Sequence, residues 1–377
     1  MYRFRQEILK NGVPGEILVT SYETMRRDQE LYKGEDFFCE VIDEAQYIKN
    51  AGTKGARAVK SVSAQMKLAL TGTPVENRLS ELWSIFDYLM PGFLYSYEHF
   101  KKNFEMPIMK KENEDAMADL QKMIRPFILR RLKKEVLSDL PDKIEKCVTI
   151  PLEGEQKKLY DAHVQRLKFM LENEEFANIR MQVLAELTRL RQLCCDPALI
   201  YQDYQEGAAK MELCMELLNN AVNGGHKVLL FSQFTSMLGI LEKRMEEAGI
   251  GYYSLTGSTP KKERMELMEK FNRDATPVFC ISLKAGGTGL NLTGADVVIH
   301  YDPWWNVAAE NQATDRAHRI GQKRVVTVYK LVAEHTIEEK VVELQQKKKE
   351  LADQVLSGEE MGSILFDREE LLKLFQN

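Results

Sequence analysis

Apolar positions along this chain follow two rhythms that alternate. In the first 75 residues the short apolar runs EILVTSY, EDFFCEVIDEAQ and QMKLALTGTP are separated by stretches with helical spacing, the rhythm of a parallel α/β sheet. Between Leu79 and Leu140 the spacing becomes helical, broken at Pro91, Gly92, Pro107 and Pro126. One further β-rich run, KIEKCVTIPL, precedes long amphipathic helices predicted from Gln156 to Leu193. That run is expected to return to the first sheet, with the helical stretches inserted around it. After Gly207 the α/β rhythm resumes with HKVLLFSQF, GYYSLTG, TPVFCISL, ADVVIHYDP and VVTVYKLV, which together predict a second open sheet. From Thr336 onward the chain is highly charged, as in a peripheral helix packed across the domains.

At 377 residues the chain exceeds what one hydrophobic core usually serves, so two or more domains are expected. Hydrophobic content of 44% and charged content of 29% describe a globular protein. No apolar run approaches the roughly 20 residues that span a bilayer, and the start, MYRFRQEILK, has no signal-peptide core. A cytoplasmic protein with no membrane partner is therefore expected. Cys39, Cys147, Cys194, Cys195, Cys214 and Cys280 form no CxxC pair and are expected to be reduced thiols. A net charge of −5 means that any nucleic-acid contact comes from a local cleft.

Candidate chemistry lies at the ends of the predicted strands. Arg316 and Arg319 in QATDRAHRIGQ fall three apart on a predicted helix, flanked by Gln312, Asp315, His318 and Gln322. Two guanidinium groups aimed at one point suit the charge that spreads over a departing phosphoryl group, and the same residues also suit a solvated, salt-bridged helix face. Asp43 and Glu44 follow directly on the run FFCEVI, at the strand end where open α/β sheets build their sites. There Asp43 would hold Mg2+, usually through water, and Glu44 would orient and deprotonate an attacking water; an acidic turn is the alternative. Thr71, Gly72, Thr73 and Pro74 end the next run with two hydroxyls in a restricted turn. SLKAGGTGLNL sets Gly286, Gly287 and Gly289 behind a strand, where backbone amides can approach a phosphate, with Lys284, Thr288 and Asn291 as side-chain donors. The basic run Arg130, Arg131, Lys133 and Lys134 suits a phosphate contact or a solvated helix end, and Trp304 with Trp305 suits base stacking or packing. Ser232, Gln233, Gly257 and Arg264 fall at strand ends or helix starts on the same side.

The order of motifs, TSYETMRRD, DEAQYIKN, LTGTPVENRLSELWSIFDYLMPG, FILRRLKKEV, LLFSQFT, LTGST, SLKAGGTGLNL, DPWWN and QATDRAHRIGQ, resembles the Swi/Snf family of DNA-dependent ATPases in helicase superfamily two, and the resemblance covers nearly the whole chain. It implies an α/β fold of two RecA-like lobes (P-loop NTPase-type parallel sheets) with inserted helical protrusions, ATP bound between the lobes and double-stranded DNA lying across both. It implies Asp43 and Glu44 as the Mg2+ and water residues and Arg316 and Arg319 as arginine fingers, with Gln312, Gly287 and Gly289 at the nucleotide. Implied DNA contacts are Thr71, Thr73, Arg131, Ser232, Gln233, Arg264, Lys284, Gly286, Asn291 and Trp304. The expected domains are a partial first lobe over 1–78, helical protrusions and linker over 79–205, a second lobe over 206–345 and bracing helices over 346–377.

The sequence departs from the family pattern twice. Gln46 stands where the family has the His of DEAH, and no GxxxxGK[ST] sequence occurs in the 377 residues. The chain is thus expected to correspond to the carboxyl-terminal two thirds of such an enzyme, with an incomplete first lobe, and to hydrolyse ATP at background rate by itself. The alternative is a non-catalytic duplex-DNA-binding module. A protein partner could supply specificity, and in a bacterium the nucleoid is the expected location.

Overall fold

The computed structural model describes residues 15–72, 79–111, 113–131, 133–137, 139–173, 176–286 and 290–346. These divide into two compact units, with the boundary between Ile128 and Leu129. The expected tail helices from 347 onward lie outside the described residues.

The first unit contains β1 (Asp36–Ile42) and β2 (Ser63–Ala69), paired in parallel from Asp36↔Ser63 to Ile42↔Ala69. A parallel pair needs a crossover, and the helix Lys54–Lys60 supplies it. Thr53 starts that helix by accepting a hydrogen bond from the Ala56 amide, and Ala56 and Val59 are buried against Ile42, Ala45 and Ile48. Helix Leu79–Leu89 is amphipathic on two sides. Ile85 and Tyr88 join this cluster, while Leu79, Leu82 and Phe86 pack with Phe100, Ile108, Leu120 and Ile124 of the later helices. The segment EILVT, expected as a strand, has no ladder partner among the described residues, and Ile17 and Val19 stand exposed. Phe38, Val41, Met66 and Leu68 of the two strands are also exposed.

The second unit is built on six parallel strands in the order β3-β8-β7-β4-β6-β5: β3 (Lys143–Pro151), β4 (Val228–Ser232), β5 (Tyr252–Leu255), β6 (Val278–Ser282), β7 (Val297–His300) and β8 (Val326–Glu334). Every residue of β4, β6 and β7 is buried, as continuous apolar runs require when both faces are covered. Successive side chains alternate between the faces. Val228, Leu230, Val278 and Cys280 meet Cys214, Leu218, Met237 and Leu241 from helices Ala209–Asn223 and Thr235–Glu247. Leu229, Phe231, Phe279 and Ile281 meet Phe271, Ala313 and Ala317 on the other side. Each such large side chain contributes roughly 1.5–3 kcal/mol relative to an exposed one.

One expectation is corrected here. KIEKCVTIPL does not return to the first sheet: as β3 it pairs with β8 over nine positions, from Lys143↔Val326 to Pro151↔Glu334. The physical reason lies in the segment just beyond the strand. Leu152 and the hairpin of helices Gly154–Asn173 and Phe176–Cys195 share an apolar cluster with Ala333 and Ile337, which anchors β3 beside β8.

Candidate active site

Asp43 and Glu44 stand immediately beyond β1, as read from the sequence. Asp43 is exposed; its Oδ1 accepts a hydrogen bond from the Glu44 amide at 2.8 Å, and its carbonyl accepts one from the Tyr22 hydroxyl at 2.7 Å. Glu44 takes φ 52° and ψ 54°, a left-handed conformation that costs a non-glycine residue on the order of 1–3 kcal/mol and gathers at functional sites. The strain turns its carboxylate toward Gln46, which donates from Nε2 to Oε2 at 2.6 Å. The other end of the same amide, Oε1, accepts from the Thr71 hydroxyl at 3.0 Å. A chain Glu44–Gln46–Thr71 therefore joins the ends of both strands. An amide bridges a carboxylate and a hydroxyl because it is donor and acceptor at once. Thr73 lies outside the described residues.

The arginine motif departs from its predicted helix. Helix Val307–Thr314 ends just before it, and residues 315–322 form a chain of turns. The Asp315 amide closes the helix on the Asn311 carbonyl, the Thr314 carbonyl accepts from the Ala317 and His318 amides of the turns, and Gly321 takes φ +102°, a region open to glycine and strained for other residues. Gln322 fastens the turns from inside. Its Nε2 donates to the carbonyls of Ala295 (2.7 Å), Ala317 (3.1 Å) and Thr293 (3.2 Å), and its Oε1 accepts from the Lys323 and Arg324 amides. Arg316 is buried and Arg319 exposed; Arg319 Nη1 reaches the Leu290 carbonyl at 3.4 Å. Gln312 is half-buried on the preceding helix.

Other expected residues divide by environment. Ser232 is corrected as a direct DNA contact: it is fully buried at the end of β4, and its hydroxyl donates to Asp302 at 2.5 Å. Asp302 also takes the Gln233 amide at 3.3 and 3.2 Å, and burial raises its carboxyl above the usual range against the pull of Arg191. Gln233 Nε2 and Arg191 Nε are buried without hydrogen-bond partners. Arg264 sends its guanidinium to the carbonyls of Thr259 (2.8 Å), Gly257 (3.1 Å) and Thr256 (3.4 Å), shaping the loop after β5. Asn291 is exposed, and its carbonyl accepts from Asn272 at 2.8 Å. Trp304 is half-buried against the core, whereas Arg131 is exposed. Gly286 ends the short helix Leu283–Gly286; Gly287, Gly289 and the Lys284 side chain lie outside the described residues.

Sequence reading undervalues four residues. Gln46 reads only as a departure from a motif and proves to be the bridge. Asp302 carries a signal like that of Asp43, an acid close behind a parallel strand, and anchors the end of β4. Lys133, in the basic run, reaches Asp315 at 2.5 Å and the His318 carbonyl at 3.3 Å. His300 is fully buried at the end of β7, stacked on Phe231 with its Nε2 2.8 Å from the Thr314 hydroxyl; no sequence signal marks it.

An acid pair at the end of one parallel sheet and an arginine loop on a second parallel α/β unit define the two-lobed, RecA-like architecture of ATP-dependent helicases and translocases. The chain belongs to the Swi/Snf (SNF2) family. Residues 6–199 match the SNF2-related domain, and residues 209–321 match the helicase conserved C-terminal domain. It is 41% identical over 368 residues to the putative ATP-dependent helicase/translocase YwqA of Bacillus subtilis, a match covering 96% of this chain and 40% of that protein. It is 37% identical over 422 residues to the TATA-binding protein-associated factor MOT1 of Saccharomyces cerevisiae, covering 96% of this chain and 22% of that protein. The Sulfolobus solfataricus SWI2/SNF2 ATPase core domain shares 37% identity at a TM-score of 0.53, covering 96% of this chain and 77% of that one. The chain thus spans less than half the length of these two curated relatives. Among the described residues, no helix is long and apolar enough to cross a membrane.

Proposed function

We propose that this chain works as part of an ATP-driven translocase on double-stranded DNA. The observation that carries the reading is Glu44, held in a strained left-handed backbone and tied through Gln46 to Thr71. Strain of this kind persists where surrounding contacts fix a working geometry.

In this reading the exposed Asp43 carboxylate suits Mg2+, a hard cation that keeps most of its waters and takes one or two carboxylates. Mg2+ would supply charge neutralisation on the ATP phosphates. Glu44 orients the attacking water and receives its proton, and the hydrogen bond from Gln46 fixes which way that carboxylate faces. Arg316 and Arg319 stabilise the charge that grows on the departing phosphoryl group, with Gln312, Gly287 and Gly289 beside the nucleotide. Thr71, Thr73, Arg131, Gln233, Lys284, Gly286, Asn291 and Trp304 serve the DNA, and Arg264 shapes the loop next to it. The described residues up to Ile128 act as part of the first lobe with its helical protrusion, and those from Leu129 to Gln346, β3 included, act as the second lobe. A cytoplasmic or nucleoid location and a protein partner that lends specificity go with this reading.

The grip on the β- and γ-phosphates in this class comes largely from P-loop amides and a lysine. The 377 residues contain no GxxxxGK[ST] sequence, so this polypeptide by itself is expected to release phosphate from ATP at background rate. DNA-stimulated release that Glu44→Gln abolishes would overturn that expectation and support the role of Glu44. Duplex binding is tested by fluorescence anisotropy over a salt series. Salt-sensitive duplex binding is expected under both readings, a response to a non-hydrolysable ATP analogue favours the translocase, and no binding refutes both.

A further inference from the structure

In the basic run RRLKKEV the proposed translocase assigns Arg131 to the DNA and leaves the lysines without a role, yet Lys133 touches the arginine loop. The second unit begins at Leu129, and the first turn of helix within it, Lys133–Val136, lies against the turns that carry Arg316 and Arg319. Lys133 Nζ is 2.5 Å from the Asp315 carboxylate and donates to the His318 carbonyl at 3.3 Å. Farther along the same segment, His318 Nε2 bonds to the Pro141 carbonyl at 2.8 Å, and the Asp142 carbonyl accepts from the Val326 amide at 3.1 Å. Residues 315 and 318, which bracket Arg316 and precede Arg319, are thus fastened from outside the loop by positions 133 and 141.

We propose that Lys133 and Pro141 act together as a positioning strap for the arginine loop, with Lys133 as its adjustable point. The loop lacks a helix of its own to hold it, since Val307–Thr314 ends first. Gln322 fixes its far end from within; Lys133 fixes its near end from the beginning of the second unit. Lys133 and Asp315 are each nearly half exposed, at 44% and 41%. An ion pair in that setting contributes little to global stability, and salt weakens it readily. Its effect is therefore on the direction of the loop. Displacement of Lys133 or Pro141 is passed to the backbone on either side of Arg316. That the arginines serve ATP rests on the proposed function; the strap does not.

The test is amide hydrogen exchange on the full 377-residue chain, with Lys133→Met, Asp315→Asn, Lys133→Arg and the swap Lys133→Asp with Asp315→Lys. The first two variants should speed exchange over residues 315–320 by about three- to fivefold, the most that a half-exposed ion pair sustains, with β7, β8 and the melting temperature unchanged. Lys133→Arg and the swap should restore protection. Raising salt from low to molar concentration should speed exchange in the native chain and leave Lys133→Met unaffected, a dependence that a merely structural contact would not show. Unchanged exchange in both single variants, or loss of protection spread over the whole second unit, would overturn the proposal. The readout needs no ATP turnover, so failure of the ATPase reading would leave it standing.

Discussion

Lys210→Met tests how the second unit is held together. Lys210 and Glu338 are completely buried, with Nζ 2.7 and 2.8 Å from the two carboxylate oxygens. The ammonium also donates to the Tyr301 carbonyl at 2.9 Å, and Glu338 accepts the Ala333 amide at 2.9 Å. The pair joins helix Ala209–Asn223 to the helical turn that follows β8. Removing the lysine leaves a carboxylate in an apolar interior, which costs about 3–5 kcal/mol when one partner of a buried pair is lost. Replacing both residues, by Lys210→Met with Glu338→Leu, should recover most of that loss. The two proteins also differ in pH dependence. In the native chain burial disfavours the Lys210 ammonium, but the Glu338 carboxylate outweighs it and holds the lysine above its usual range. Its folded value is thus raised, so its contribution is complete below the unfolded lysine value of about 10.4 and is lost only at higher pH. Burial raises the Glu338 carboxyl in the native chain too, against the pull of Lys210, and Lys210→Met removes that pull and raises it further. Its contribution is present below the unfolded value of about 4.3 and falls away as pH rises, so the deficit is larger at pH 7 than at pH 5. Urea unfolding followed by the fluorescence of Trp304 and Trp305 measures both effects. A loss under about 1 kcal/mol, or a double variant as weak as the sum of the singles, would refute the reasoning.

Two further outcomes are expected. Burial pushes the His300 imidazole down to about 4. Its folded value lies below the unfolded one of about 6.5, so stability present above pH 6.5 should be lost as pH falls toward 4, by about 3 kcal/mol in all. His300→Gln should flatten that slope in urea midpoints taken between pH 7 and 4; an unchanged slope counts against it. Glu44→Gly should relieve the left-handed strain and raise the stability of the first unit by about 1 kcal/mol while removing the proposed base. Calorimetry that shows a lower melting temperature would mean that the side-chain bond to Gln46 outweighs the strain.

The sequence disclosed β4, β6 and β7 because strands covered on both faces read as unbroken apolar runs, and β5 and β8 by the α/β rhythm around them. It disclosed Asp43 and Glu44 because strand ends are marked by an abrupt change to acid. The membership of β3 was hidden. Most of its residues are exposed, so the run looks alike at the edge of either sheet, and the deciding contacts of Leu152 with Ala333 and Ile337 lie far away in sequence. The arginine spacing suggested a helix because i and i+3 is also compatible with successive turns, and the fastening by Gln322 depends on carbonyls brought together only by folding. The Glu44–Gln46–Thr71 chain was half visible: its residues stand out in the motifs, but the left-handed backbone that joins them does not.

The side-by-side placement of β3 and β8 has a mechanical consequence. The chain enters the sheet at Lys143 and leaves it at Glu334, and these lie at opposite ends of a parallel, nine-position register. Tension applied through the chain on either side of this sheet runs along the strands, so the ladder bonds share the load in shear and must fail together. Pulled from one end, the same bonds would open in turn.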